Sequence, residues 1–187
     1  MPLPESLRTE RLLLRRWRAS DRAPFAALGA DPRVMRNLGT LMTRGESDAL
    51  ADRIEAHFAA HGFGLWALEV PDVDAFAGFV GLAHARFPAP FNPSIELAWR
   101  LAPAHQGRGY ATEAARAALR FGFEQLGLAE ILAFTTTSNL ASQRVMQRIG
   151  MQRDPTGDFE HPALPQGDAL RAHVLHRVRE SDHEPSG

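Results

Sequence analysis

The period of the apolar positions changes several times along the chain, and the changes mark out its elements. Leu12–Trp17 has a strand-like apolar core, after which Ser20 or Asp21 can cap a helix carrying Pro24 in its first turn. Over Glu46–His61, the residues Ala49, Leu50, Arg53, Ile54, His57 and Phe58 recur at helical spacing, and Gly62 supplies the stop. Leu65–Val70 and Phe76–Ala83 flank the turn-forming Pro71–Asp74 and predict a β-hairpin. Ile95–Leu101 then predicts a strand, Tyr110–Leu126 a helix ended by Gly127, and Glu130–Thr135 another strand. Asn139–Ile149 predicts a helix ended by Gly150, and Ala172–Val178 a last strand. A hairpin followed by β-α-β units is an α+β or mixed α/β pattern around one central sheet. One domain is expected over residues 1–180, with 181–187 as a flexible polar tail.

Composition narrows the chemistry more than the fold. Apolar residues make up 44% of the 187 and charged residues 23%, with a net charge of −1. That balance disfavours a general binder of nucleic acid or anionic membranes. The longest apolar runs fall short of the roughly 18 residues that a spanning helix needs. Pro2, Pro4 and Glu5 are followed by charges, not by the apolar run of a signal peptide. A cytoplasmic protein is expected. There is no cysteine, which removes disulfides, zinc–thiolate sites and thiol nucleophiles. Lysine is absent too, since all 21 basic residues are arginine. Schiff-base chemistry and a P-loop lysine are thereby excluded, and any anion must be held by arginine or backbone amides.

The stretch that can hold an anion is Gln106-Gly107-Arg108-Gly109-Tyr110-Ala111-Thr112-Glu113, between a strand and a helix. The first helical turn offers unpaired N–H groups and the positive end of the helix dipole, and the glycines let a phosphate approach. A diphosphate cradle and a plain glycine-rich connection both fit this feature. A dinucleotide fingerprint fits poorly: Thr112 stands where Gly or Ala is needed, and Ala102–His105 separate the strand from the turn.

Gln106-x-x-Gly109-x-Ala111 resembles the Q/R-x-x-G-x-G/A signature of the GCN5-related N-acetyltransferases. Further blocks are similar to that family in the same order. They are Thr9-Glu10-Arg11-Leu12-Leu13-Leu14-Arg15 (like the opening of the RimJ/RimL branch), Gly78–Leu82, Ile95–Leu101, and Asn139-x-x-Ser142 with Arg144-Val145-Met146 and Ile149-Gly150-Met151. The resemblance implies six or seven mostly antiparallel strands, with Ile95–Leu101 and Glu130–Thr135 parallel and splayed. It implies acetyl-coenzyme A as co-substrate, its pantetheine arm against Trp99, Arg100 and Leu101. The pyrophosphate would lie on the amides of Gly107, Arg108, Gly109, Tyr110 and Ala111, flanked by Gln106 and Thr112, while Asn139, Ser142 and Arg144 belong to the helix that borders the pantetheine arm. No metal is implied.

Many family members carry a tyrosine seven residues after the asparagine as general acid; here that position is Met146, and Tyr110 is the only tyrosine. Ser142 is the substitute the resemblance suggests, competing with a role in capping its helix. Glu96 is the candidate base. If Ile95, Leu97 and Trp99 share one strand face, Glu96 lies on the other, among apolar neighbours that should raise its pKa. Otherwise it attracts the cationic amine. His84 is the second choice, and Phe159 and His161, in a loop after Met151, are candidates for touching the acceptor. His57 with His61 and His173 with His176 are histidine pairs without an evident third metal ligand. The sequence therefore predicts an N-acetyltransferase acting on a protein N-terminus or a small-molecule amine, by direct attack and not through an acyl-enzyme. The alternative is a non-catalytic coenzyme A-binding module. A homodimer is compatible with either reading; nucleic acid and membrane are not expected partners.

Overall fold

In the computed structural model, which describes residues 3–85 and 87–182, the elements follow one another around a single sheet. In chain order they are β1 (Leu7–Arg8), β2 (Leu13–Arg15), α1 (Arg22–Gly29), α2 (Pro32–Met35), α3 (Arg44–His61), β3 (Leu65–Val70) and β4 (Asp74–His84). After these come β5 (Ile95–Leu101), α4 (Tyr110–Glu124), β6 (Glu130–Thr136), α5 (Leu140–Arg148), β7 (Gln152–Arg153), β8 (Phe159–Glu160) and β9 (Ala172–Arg179). The sheet order is β1-β2-β3-β4-β5-β6-β9-β7, with β8 also pairing β9. All pairs are antiparallel except β5 with β6. β1, β7 and β8 are two-residue edge pieces, which leaves six longer strands. Glu180–Asp182 form a short 3-10 turn, and 183–187 of the expected tail lie outside the described residues.

Local chemistry sets the helix ends. Thr43 and Glu46 cap α3 reciprocally: the Glu46 carboxylate accepts from the Thr43 N–H at 2.7 Å, and Thr43 Oγ1 accepts from the Glu46 N–H at 3.3 Å. Asp31 caps α2 by accepting from the Arg33 N–H at 2.8 Å, and Pro32 takes the first helical position. Asp21 does not cap α1 as expected. Its carboxylate accepts from Arg15 Nη1 at 2.8 Å and Nη2 at 3.0 Å, while Arg15 Nε donates to Glu69 at 2.6 Å. Further bonds to the Arg16 and Ala75 carbonyls satisfy the rest of this buried guanidinium. A buried cation with every donor paired is tolerated; breaking one partner would cost about 3–5 kcal/mol.

The β3–β4 hairpin carries an irregularity that the alternation of residues does not predict. Leu68 pairs Gly78 but Val70 pairs Asp74, so β4 bulges between. The bulge brings Phe76 and Phe79, three residues apart, into one cluster with Phe25, Leu28, Val34 and Ala67 under α1 and α2. Trp66, Leu68, Val80, Leu82 and Leu97 belong to the main core, with Ala114, Ala115, Ala118 and Leu119 of α4. The small alanines let α4 lie close to the sheet, which fixes the position of its N-terminus.

Candidate active site

β5 and β6 share one register pair, Glu96 with Leu132, and then diverge. Toward its C-terminus, β5 pairs only with β4, so the edge at Trp99 faces the opening between the strands. The turn after β5 leads into α4. Gly107 has φ +73° and Gly109 φ +82°, left-handed values that a β-carbon disfavours. A β-carbon at Gly107 would meet nothing within 4 Å, so the turn is shaped by backbone conformation and not by crowding.

Residues from the other end of the chain hold this turn. Thr9 Oγ1 donates to Glu113 at 2.6 Å, Arg11 N–H donates to the same carboxylate at 2.9 Å, and Arg11 Nε at 2.7 Å. Arg11 Nη1 also donates to the Arg108 carbonyl, and its guanidinium lies 5.0 Å from the Tyr110 ring centre. Burial pushes the Glu113 carboxyl up, but the bonds from Thr9 and Arg11 outweigh it and hold it below its ordinary range. Glu113 is thus an anchored anion, and the amides before it stay available.

A cleft of about 610 Å³ runs along this turn. Trp99, Arg100, Leu101, Gln106, Gly107, Gly109, Tyr110, Ala111 and Thr112 line it, as do Asn139, Ser142 and Arg144 of the second block. Gln106 Nε2 donates to the Leu101 carbonyl at 2.9 Å, closing the end of β5. Arg108 Nε turns back to the Ala104 carbonyl at 2.9 Å. The cations on the cleft wall are instead Arg33, Arg36, Arg100, Arg144 and Arg148. Arg33 is paired with Asp31. Arg100 reaches only Met42 Sδ at 3.5 Å and the Phe79 ring at 5.5 Å among the described residues, and burial lowers its pKa to about 10. It is a poorly solvated cation on a cleft wall. Sequence reasoning missed α2, with Arg33, Arg36 and then Asn37 and Leu38, although Asp31-Pro32 is a helix-start signal.

Ser142 and Asn139 link this cleft to a second one of about 350 Å³, since both line each. Asn139 is the α5 cap: its Oδ1 accepts from the Ser142 N–H at 3.2 Å. Its Nδ2 donates to Thr135 Oγ1 at 2.9 Å and to Ser142 Oγ at 3.0 Å. Ser142 is therefore not the cap. Its hydroxyl accepts one bond and donates to no acceptor among the described residues. Met146, at the position of the family's tyrosine, is buried and also borders the second cleft.

Glu96 lines the second cleft together with Phe134, His161 and His173. It also lines a third cavity of about 270 Å³ with His57, His84, Phe87 and Arg53. Phe159 and His161 are not in a plain loop: Phe159–Glu160 is a strand on β9, opposite His173 and Ala172. That pairing stacks Phe159 on His173 at 5.3 Å and on Phe87 at 5.5 Å between ring centres. Phe134 and His161 complete an aromatic wall beside Glu96. Burial holds the His161 and His173 imidazoles below their ordinary pKa, and the His173 charge lowers His161 further. Spacing along the chain gave His57 and His61 no third partner. In three dimensions His84 joins them.

The family model for the acetyltransferase (GNAT) domain matches residues 11–152. An uncharacterized N-acetyltransferase of Bacillus subtilis, YnaD, is 29% identical over 162 residues, covering 86% of this chain and 88% of its own. The FsC-acetyl coenzyme A-N(2)-transacetylase of Aspergillus fumigatus is 30% identical over 156 residues, 75% of this chain and 62% of that protein. The solved acetyltransferase of Agrobacterium tumefaciens shares 28% identity and a TM-score of 0.76, with 96% of each chain covered. No helix among the described residues is long and apolar enough to cross a membrane. The chain belongs to the GNAT acetyltransferases and is an acyltransferase of that family.

Proposed function

We propose that the chain moves the acetyl group of acetyl-coenzyme A onto a primary amine by direct attack in a ternary complex. Glu96 acts as base and Ser142 as acid. The observation that carries this reading is the junction of the cavities. Trp99, Asn139 and Ser142 border both the 610 Å³ cleft and the 350 Å³ cleft, and Glu96 borders the second. The first cleft fits a phosphate-bearing thioester: left-handed glycines, first-turn amides of α4 and Arg36, Arg144 and Arg148, which form no ion pair among the described residues, lie along it. In this reading the amides of Gly107 to Thr112 hold the pyrophosphate, and the arginines hold the remaining phosphate.

Bound acetyl-coenzyme A supplies the thioester carbon, to which the amine nitrogen bonds as the carbon–sulfur bond breaks. Glu96 takes the proton that the ammonium must lose to become a nucleophile. Ser142, oriented by Asn139, donates its hydroxyl proton to the sulfur as charge develops there and regains one from the attacking nitrogen, which loses this second proton as it becomes the amide. With no cysteine in the chain, a thioester acyl-enzyme has no nucleophile. The aromatic wall beside Glu96 suits an ammonium carried on an apolar or aromatic body, through ring quadrupoles and a neighbouring carboxylate. A protein N-terminus with an apolar first residue, in the RimJ/RimL manner that Thr9–Arg15 supports, and a small amine are both of this kind. A cytoplasmic site of action belongs to the same proposal.

Thiol release from acetyl-coenzyme A, measured across N-terminal peptides and small amines, tests the reading. Turnover is expected with at least one amine of apolar body. Glu96→Gln should lower kcat by about 10²-fold or more with unchanged coenzyme A affinity. Turnover untouched by Glu96→Gln would remove the base assignment.

A further inference from the structure

His57 and His61 lie one turn apart on α3 and His84 ends β4, yet one ring nitrogen of each lies within 4.8 Å of the others. His57 is buried, and its Nδ1 is 2.8 Å from the Phe63 carbonyl. Only a protonated Nδ1 makes that bond, so the lone pair of the neutral ring is on Nε2. Nε2 is 3.1 Å from His84 Nδ1 and 3.3 Å from the His84 backbone N–H. Two nitrogens bound tetrahedrally to zinc at about 2.0–2.1 Å stand roughly 3.3 Å apart. The His57–His84 spacing is thus already close to a metal bite. His61 is exposed, with its ring centre 4.5 Å from that of His57 and 4.4 Å from that of His84. Rotation of one solvent-facing side chain completes the set. A carbonyl fixing the far nitrogen is also the outer-shell partner that metal-bound imidazoles use.

We propose that His57, His61 and His84 form a binding site for a divalent transition-metal ion of the zinc class. The three neutral imidazoles supply three ligands, and the fourth position is left to water. Such a nitrogen donor set favours zinc, cobalt or nickel over magnesium and calcium, which need oxygen. Binding takes the His57 lone pair from the His84 N–H and immobilises His61. The affinity is therefore below that of a closed structural zinc site. His57 and His84 also line the 270 Å³ cavity that Glu96 borders, so the ion sits on the wall of the acceptor side, away from the α4 turn.

The test uses the full, tag-free chain stripped with a chelator. Zn²⁺ is titrated by calorimetry and Co²⁺ by visible absorption. One ion per chain is expected, with the strong visible bands of four-coordinate cobalt. His61→Ala, at an exposed position, and His84→Gln should each weaken both ions by about tenfold or more, with the circular dichroism spectrum unchanged. His161→Ala, which alters the histidine pair on the aromatic wall, should leave the titration as it was. Absence of saturable binding by the unaltered chain, affinity left unchanged by either His61→Ala or His84→Gln, or binding lost with His161→Ala would each overturn the site.

Discussion

The two sides of the central opening are built on different principles. The side formed by the α4 turn is backbone: two left-handed glycines and the amides of a helix start, braced through Glu113 by Thr9 and Arg11. The proposed acceptor side is side chains: Glu96 from β5, Phe134 from β6, His161 after β8 and His173 from β9. Backbone recognition constrains few side chains but demands a particular conformation. Side-chain recognition demands no special φ, and each ring can be exchanged alone. In the proposed reading, co-substrate binding is therefore tied largely to a short motif, while the choice of acceptor rests on residues scattered along the chain.

Ser142 stands where the two sides meet, and altering it should have a large effect, comparable to that of Glu96→Gln. Ser142→Ala removes the donor proposed for the forming thiolate, worth about 2–4 kcal/mol, or tens- to several hundred-fold in kcat. The α5 cap is kept, because Asn139 accepts from the backbone N–H of residue 142. Acetyl-coenzyme A affinity should stay nearly constant. The free thiol has a pKa near 8.5, so the defect should shrink toward about pH 9, where the thiolate leaves without help. Steady-state kinetics from pH 6 to 9 measure this; a defect independent of pH, with weaker co-substrate binding, would make Ser142 a structural residue.

Gly109→Val should act on one side alone. At φ +82° a β-branched residue is strained, although its β-carbon would come no closer than 3.4 Å to Arg11 Nη2. The turn must give way, and coenzyme A binding should weaken by roughly ten- to a hundredfold, with the acceptor KM little changed. Calorimetry on the folded variant checks it. Equal affinity would show that the amides of this turn do not hold the phosphates.

The same contrast explains what could be read in advance. Gln106–Glu113 and Asn139–Met151 are contiguous, and local capping and glycine conformations dictate their form. The acceptor side depends on pairings that no local signal encodes. Phe159–Glu160 is too short to read as a strand until β9 is beside it. His84 meets His57 only because β4 runs past the end of α3. Phe76 and Phe79 share a cluster through a bulge that strict alternation cannot show. Asp21 carried a cap signal and was taken by a buried arginine, a tertiary demand stronger than the local one. Two local signals are legible without the sheet: the Asp31-Pro32 start of α2, and the Thr43-x-x-Glu46 capping box that begins α3 at Arg44, two residues before the expected Glu46.

The smallest effect expected is a pH dependence that belongs to the acceptor side only. His161 and His173 have pKa values below the ordinary 6.5, the first cause in both being burial of the charged form. The unfolded chain therefore takes up these protons first as the pH falls. The stability they contribute is complete above about pH 6.5 and is lost as pH drops through the lowered folded values. His176, lowered by burial as well, adds to the same slope. In the folded protein, protonation places cations on a wall proposed to receive an ammonium, so the acceptor KM should rise a few-fold at low pH. Coenzyme A affinity, set across the junction, should not follow. Replacing both rings by phenylalanine keeps the aromatic wall and removes the protons. In that double variant the acid rise in KM should flatten, and the fall in melting temperature between about pH 6.5 and 5, above the carboxylate range, should lessen. An unchanged KM profile in the double variant would mean that the ammonium does not approach this wall.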